Sequence, residues 1–112
     1  MSEGWIAVDL DGTLAKYTEY HGPTVIGEPI PLMVARVKKW LTLSQEVRIF
    51  TARVADQTTR SAVTVAIQNW CILHIGQILP ITNKKDHHMI ELWDDRCVQV
   101  EPNTGRRVDG KG

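Results

Sequence analysis

At 112 residues the chain has room for one domain built on one hydrophobic core, and none for a second. Its 13 lysines and arginines balance 13 aspartates and glutamates, so no overall field draws it toward nucleic acid or an anionic membrane. Hydrophobic residues make up 43%, ordinary for a soluble globular fold, and no apolar run approaches the roughly 18 residues of a membrane span. Cys71 and Cys97 form no CxxC pair and read as free thiols of a reducing compartment. Met1 is followed by Ser-Glu-Gly-Trp, not by a basic stretch and a long apolar run, so a cytoplasmic location is expected.

Trp5-Ile6-Ala7-Val8 is a short apolar run that stops at acidic residues and Gly12, and it predicts a buried strand. Residues 14–29 mix polar and aromatic side chains with Gly22, Pro23, Gly27 and Pro29, which predicts an irregular excursion. Glu28-Pro29-Ile30-Pro31 then opens a helix, since proline suits the first turn and an acidic residue suits the positive end of the dipole. Met33, Val37, Trp40 and Leu41 share one face of it, with Arg36, Lys38 and Lys39 elsewhere. Residues 47–51 predict a second strand. Asp56 or Thr58 is expected to cap a second helix, in which Val63, Ile67, Trp70 and His74 recur at helical spacing and Gly76 stands where a C-terminal cap belongs. Residues 78–81 predict a third strand, weakened by Pro80; residues 89–93 a fourth, ending at Asp94-Asp95; residues 98–100 a fifth. The Gly-rich, charged tail 102–112 is expected to fray, leaving a core of residues 5–101.

Strands separated by helical patterns predict an α/β domain with a mostly parallel sheet, and such sheets bind ligands beyond the carboxyl ends of their strands. Asp9 and Asp11 follow the first strand, Thr51 ends the second, Lys84 and Lys85 follow the third, and Asp94 and Asp95 follow the fourth. The reactive groups are therefore expected on one rim.

Val8-Asp9-Leu10-Asp11-Gly12-Thr13-Leu14 is the central feature. Two carboxylates two residues apart at a strand end face one pocket if the second rides on a turn, which Gly12 permits. With Asp94 and Asp95 as many as four carboxylates meet near one point, where they repel and raise each other's pKa. A hard dication resolves that conflict, and Mg²⁺ suits a site of few carboxylates, waters and a substrate phosphate. An EF-hand is excluded, because Thr13 stands at its third ligand position and Tyr20 where the bidentate glutamate belongs.

The segments DLDGTL, IFTAR, the lysine before Asp86 and LWDD resemble, in order, the four motifs of the haloacid dehalogenase superfamily of phosphohydrolases, across residues 5–100. The resemblance implies a Rossmann-like core of parallel sheet flanked by helices. It implies Asp9 as nucleophile on phosphorus, and Asp11 as acid for the leaving group and then base for water. Thr51 and a lysine would hold the phosphoryl oxygens, with Gly12, Thr13, Ala52 and Arg53 beside the substrate. Asp94 and Asp95 would anchor Mg²⁺, with the Asp9 carboxylate and the Asp11 backbone carbonyl. Lys85, directly before Asp86, fits that lysine position better than Lys84. The expected function is a Mg²⁺-dependent phosphatase passing through an aspartyl-phosphate.

Arg53 has two readings, a bidentate grip on a substrate phosphate or a place in solvent. Asp86-His87-His88 suggests an alternative, an Mn²⁺ phosphoesterase of the Asp-His-His type, but that reading leaves Asp94 and Asp95 unexplained. Residues 14–29 and 54–58 are too short for a cap domain, so an open site is expected, suited to a phosphate on something large such as a nucleic-acid end or a phosphoprotein, or walled by oligomerisation. A nucleotide monophosphate or a phosphorylated small molecule is also open as substrate. Tyr17, Tyr20 and His21 are expected to border it. A different class of function is a phosphate-sensing or partner-binding module that keeps the fold without turnover.

Overall fold

The apolar run after Gly4 becomes β1 (Trp5–Asp9), buried through its first four residues and surfacing only at Asp9. The computed structural model describes residues 3–111. After β1 come α1 (Pro31–Thr42), β2 (Glu46–Phe50), a short 3-10 helix (Ala52–Ala55), α2 (Arg60–His74), β3 (Ile81–Thr82) and β4 (Met89–Trp93). The four strands form one sheet in the order β3-β2-β1-β4, every pair parallel. This is the expected α/β architecture, with β1 central. Among the described residues no helix is long and apolar enough to cross a membrane.

Strand order determines where the helices go. β1, β2 and β3 step across the sheet in one direction, and right-handed crossovers then place both intervening helices on the same face. Ile6 and Val8 of β1 and Val47 and Ile49 of β2 present that face, and they share one core with Met33, Val34 and Val37 of α1 and Val63, Ile67 and Cys71 of α2. The step from β3 back past β1 to β4 has no helix. Its loop, residues 83–88, reaches the opposite face at Asp86, which accepts from Trp5 Nε1 at 2.9 Å and meets Arg48 at 3.7 Å. Trp40 and Trp93 pack against each other at 5.1 Å, and Trp70 donates to the Gly27 carbonyl at 2.9 Å. His74 stacks on Trp70 at 4.7 Å, so these aromatics belong to the packing of the core.

Several local expectations are corrected. No acidic residue lies in the first turn of α1, whose N-cap is Ile30; Pro31 supplies the fixed φ that starts it. Neither Asp56 nor Thr58 caps α2: Asp56 instead accepts from the Thr58 amide and hydroxyl in a turn, and the cap position falls to Thr59. Gly76, at φ +99°, does close α2, with its amide donating to the Cys71 carbonyl. The third strand is shifted past Pro80, which has no N–H to give a ladder, although its carbonyl accepts from Ile49. Residues 98–100 form no fifth strand. Val100 makes a single bridge with Arg107, and residues 99–108 fold back through Glu101 to Arg106 and Val108 to Gln99 hydrogen bonds.

Candidate active site

The carboxyl ends of β1, β2 and β4 converge because all three strands run the same way, with Asp9 in register with Phe50 and Val8 with Trp93. A cavity of about 420 Å³ opens there, lined by Asp9, Asp11, Thr51, Ala52, Arg53, Asp94 and Asp95 together with Tyr17, Tyr20, Phe50 and Arg96. Asp9, Asp94 and Asp95 each offer a carboxylate oxygen, and these atoms lie within 4.8 Å of one another. Among the described residues this is the one group of three or more metal-ligating side chains. The Asp11 carboxylate is not part of it.

The chain after β1 is shaped to bring these groups together. A tight turn folds residues 10–15 back on themselves, with the Ala15 and Leu14 amides both donating to the Leu10 carbonyl. Thr13 is buried, and its hydroxyl accepts from the Asp95 amide at 2.9 Å and donates to Asp95 Oδ1 at 3.3 Å. Thr13 thus ties the loop after β1 to the loop after β4, which makes it a strut for Asp95. Gly12 has φ +86°, a conformation that favours glycine, and a Cβ there would lie 2.5 Å from Asp95 Oδ2 and push that carboxylate aside.

The Asp9 carboxyl is pushed up to about 7, first by burial, then by the charge of Asp94 and by the hydrogen bond and charge of Asp95, with the Leu10 amide partly offsetting them. Three carboxylates this close are a poor arrangement without a counter-charge, and their oxygen-only donor set fits a hard dication.

Arg53 does not lie in solvent. Its Nε and Nη2 grip both oxygens of Asp11 at 2.8 and 2.9 Å, and Nη1 donates to the carbonyls of Pro23 at 2.8 Å and Gly22 at 3.2 Å. Only 10% of the side chain is exposed, and the Asp11 hydrogen bond raises its pKa, so it stays cationic. Arg53 therefore joins the Asp11 turn to the 22–23 loop, whose chain also carries Tyr17 and Tyr20. Those tyrosines rim the cavity as expected, whereas His21 lines a separate pocket. Thr51 is 2% exposed and caps the 3-10 helix, accepting from the Arg53 amide at 3.1 Å while keeping its own hydroxyl proton to donate.

Neither Lys85 nor Lys84 lines this cavity. Both are exposed, and Lys84 lines a neighbouring cavity. The cations at the aspartate site are Arg53 and Arg96. Sequence reasoning passed over Arg96, although its place directly after Asp94-Asp95 at a strand end was the available signal; its amide donates to Asp94 Oδ1 at 2.8 Å. Asp86, His87 and His88 lie elsewhere. Asp86 takes the His88 amide at 2.8 Å, and the His88 carbonyl takes the amide of Trp5, at the opposite end of β1 from Asp9. Four residues of strand separate Trp5 from Asp9, about 13 Å.

No family model and no curated protein matches the chain. Among solved structures, a conserved protein from Bacteroides thetaiotaomicron is similar, with 27% sequence identity and a TM-score of 0.56 over 85% of this chain and 78% of that one. The chain is thus similar in fold to that conserved protein.

Proposed function

We propose that the chain is a phosphatase that hydrolyses a phosphate monoester through an aspartyl-phosphate on Asp9, with Mg²⁺ as its cofactor. The observation that carries this reading is the meeting of Asp9, Asp94 and Asp95 at the carboxyl ends of parallel strands, beside Thr51 and Asp11. Asp9, Asp94 and Asp95 would hold Mg²⁺, which supplies charge neutralisation and a template for the phosphoryl oxygens.

The residues of the chain divide the remaining work. An Asp9 oxygen forms the new bond to phosphorus as the ester P–O bond breaks, and the departing oxygen takes a proton from Asp11. Water then attacks the aspartyl-phosphate at phosphorus, gives its proton to Asp11, and releases phosphate with Asp9 restored. Arg53 holds the ionised Asp11 by its two-pronged ion pair, the form that takes the proton from water, and one prong must open for the protonated Asp11 to serve the leaving group. The Thr51 hydroxyl would donate to a phosphoryl oxygen. Neutralising the equatorial oxygens falls to Arg96, since both lysines lie off the cavity.

Release of phosphate from an aryl phosphate, measured with Mg²⁺ and again with excess chelator, tests the proposal. Turnover that needs Mg²⁺ is expected. Full activity in chelator, or activation by Zn²⁺ alone, contradicts the metal assignment. Phosphate binding with no turnover under either condition points to the sensing module instead.

A further inference from the structure

Beside the aspartate site lies a second cavity, of about 580 Å³, between α2 and β3. Arg60, Thr64 and Gln68 stand four residues apart along one side of α2 and line it, while Val63 and Ile67 turn into the core. Asn83 and Lys84 close the other side. The lining holds two cations, three neutral hydrogen-bonding side chains from α2 and the 83–84 loop, and no aspartate or glutamate. In a chain of zero formal charge, a cavity with cations alone is not the by-product of a basic surplus.

Its two cations are exposed and carry no described ion pair. Arg60 Nε donates to the Val54 carbonyl at 2.7 Å, and among the described residues no carboxylate pairs with the guanidinium. The Lys84 amide donates to Thr82 Oγ1 at 3.1 Å, and no described carboxylate pairs with its ammonium. The two cavities border neighbouring strand ends. Thr51 and Arg53 line the aspartate site, Val54 and Thr82 line the second cavity, and the Thr51 amide donates to the Thr82 carbonyl at 2.9 Å. Neighbouring strands lie about 4.8 Å apart, so the ends of β2 and β3 that face the two cavities are one strand spacing from each other.

We propose that this cavity receives a second phosphate or phosphodiester group of a substrate whose scissile phosphate sits at Asp9. The placing of the first phosphate rests on the phosphatase reading; the anion site itself does not. The substrate class is then a bis-anion, either a nucleotide chain with a terminal phosphate or a small bisphosphate, and not a lone monophosphate.

The test is calorimetric binding to the Asp9→Asn protein in Mg²⁺, with thymidine 5′-monophosphate, thymidine 3′,5′-bisphosphate and 5′-phosphorylated dithymidylate as probes. The bis-anionic probes are expected to bind roughly tenfold more tightly than the monophosphate, the scale of one charge-assisted contact. Gain by the dinucleotide alone identifies a nucleotide chain, and gain by both a second phosphate as such. Arg60→Gln is expected to remove the gain and leave monophosphate affinity within about twofold. Gln68→Glu, which keeps the Arg60 to Val54 hydrogen bond, is expected to do the same by repulsion. Equal affinity for all three probes, or equal weakening of all three by both variants, overturns the proposal. Because binding is read without turnover, tighter bis-anion binding in a wild-type protein that hydrolyses nothing would sink the phosphatase reading and leave this site standing.

Discussion

Replacing Asp9 by asparagine is expected to stabilise the metal-free protein while abolishing its turnover. The Asp9 carboxyl is raised from 3.8 to about 7, by burial first and then by Asp94 and Asp95. For a carboxyl cut off from water that rise corresponds to about 4 kcal/mol. Asp9 is only half-buried, and solvent screening brings the expected effect down to about 1–2 kcal/mol. A raised native pKa means that folding favours the protonated form. The contribution is fully present below pH 3.8 and is lost as the pH rises through 7, so wild-type stability falls across that window. The substituted amide carries no charge at any pH and can donate to Asp95, so the variant lacks this decline. At pH 8 its melting temperature should exceed that of the wild type by about 3–8 °C, read by thermal denaturation in EDTA at pH 5, 6.5 and 8. Excess Mg²⁺ should reverse the order, because only the wild type keeps the full carboxylate set to bind it. Parallel pH curves for the two proteins, or a variant less stable than wild type at pH 8 in EDTA, would refute the reasoning.

Changing His87 and His88 together to alanine should leave aryl-phosphate hydrolysis within about twofold, since both lie at the far end of β1 from Asp9. A rate loss as large as that of Asp9→Asn would move the chemistry to the Asp-His-His segment. Arg53→Ala strands the Asp11 carboxylate and the Gly22 and Pro23 carbonyls, and should cost about 3 kcal/mol in urea denaturation. Arg53→Lys keeps the charge without the fork and should lower kcat more than it raises KM; an unchanged kcat would remove Arg53 from the positioning of Asp11.

The gathering of the aspartates was legible because two local facts sufficed. An apolar run ending in acidic residues marks a strand's carboxyl end, and parallel strands bring such ends together, so Asp9 and Asp94-Asp95 could be placed on one rim before any contact was known. What could not be read depended on partners distant in sequence. Arg53 meets Asp11 and the 22–23 carbonyls across 30 to 42 positions, and nothing in its own surroundings distinguishes that fate from solvent. The link from the Thr13 hydroxyl to Asp95 spans 82 positions and has no signature in the residues around Thr13. The lysines went astray for a geometric reason. β3 is an edge strand of two residues, one strand removed from β1, so the loop after it leads Lys84 to the neighbouring cavity. Helix periodicity likewise carries no information on which face a helix covers, and only the strand order places α1 and α2 together.

The central claim is that the phosphoryl group passes through Asp9, and the stereochemical course at phosphorus tests it most directly. An aryl phosphate made chiral by oxygen isotopes would be turned over with Mg²⁺, with an alcohol as acceptor so that the product keeps a readable configuration. Each in-line displacement inverts phosphorus, so attack by Asp9 followed by attack of the acceptor predicts net retention. Net inversion would mean one direct displacement, leaving Asp9 as a metal ligand and contradicting the covalent account.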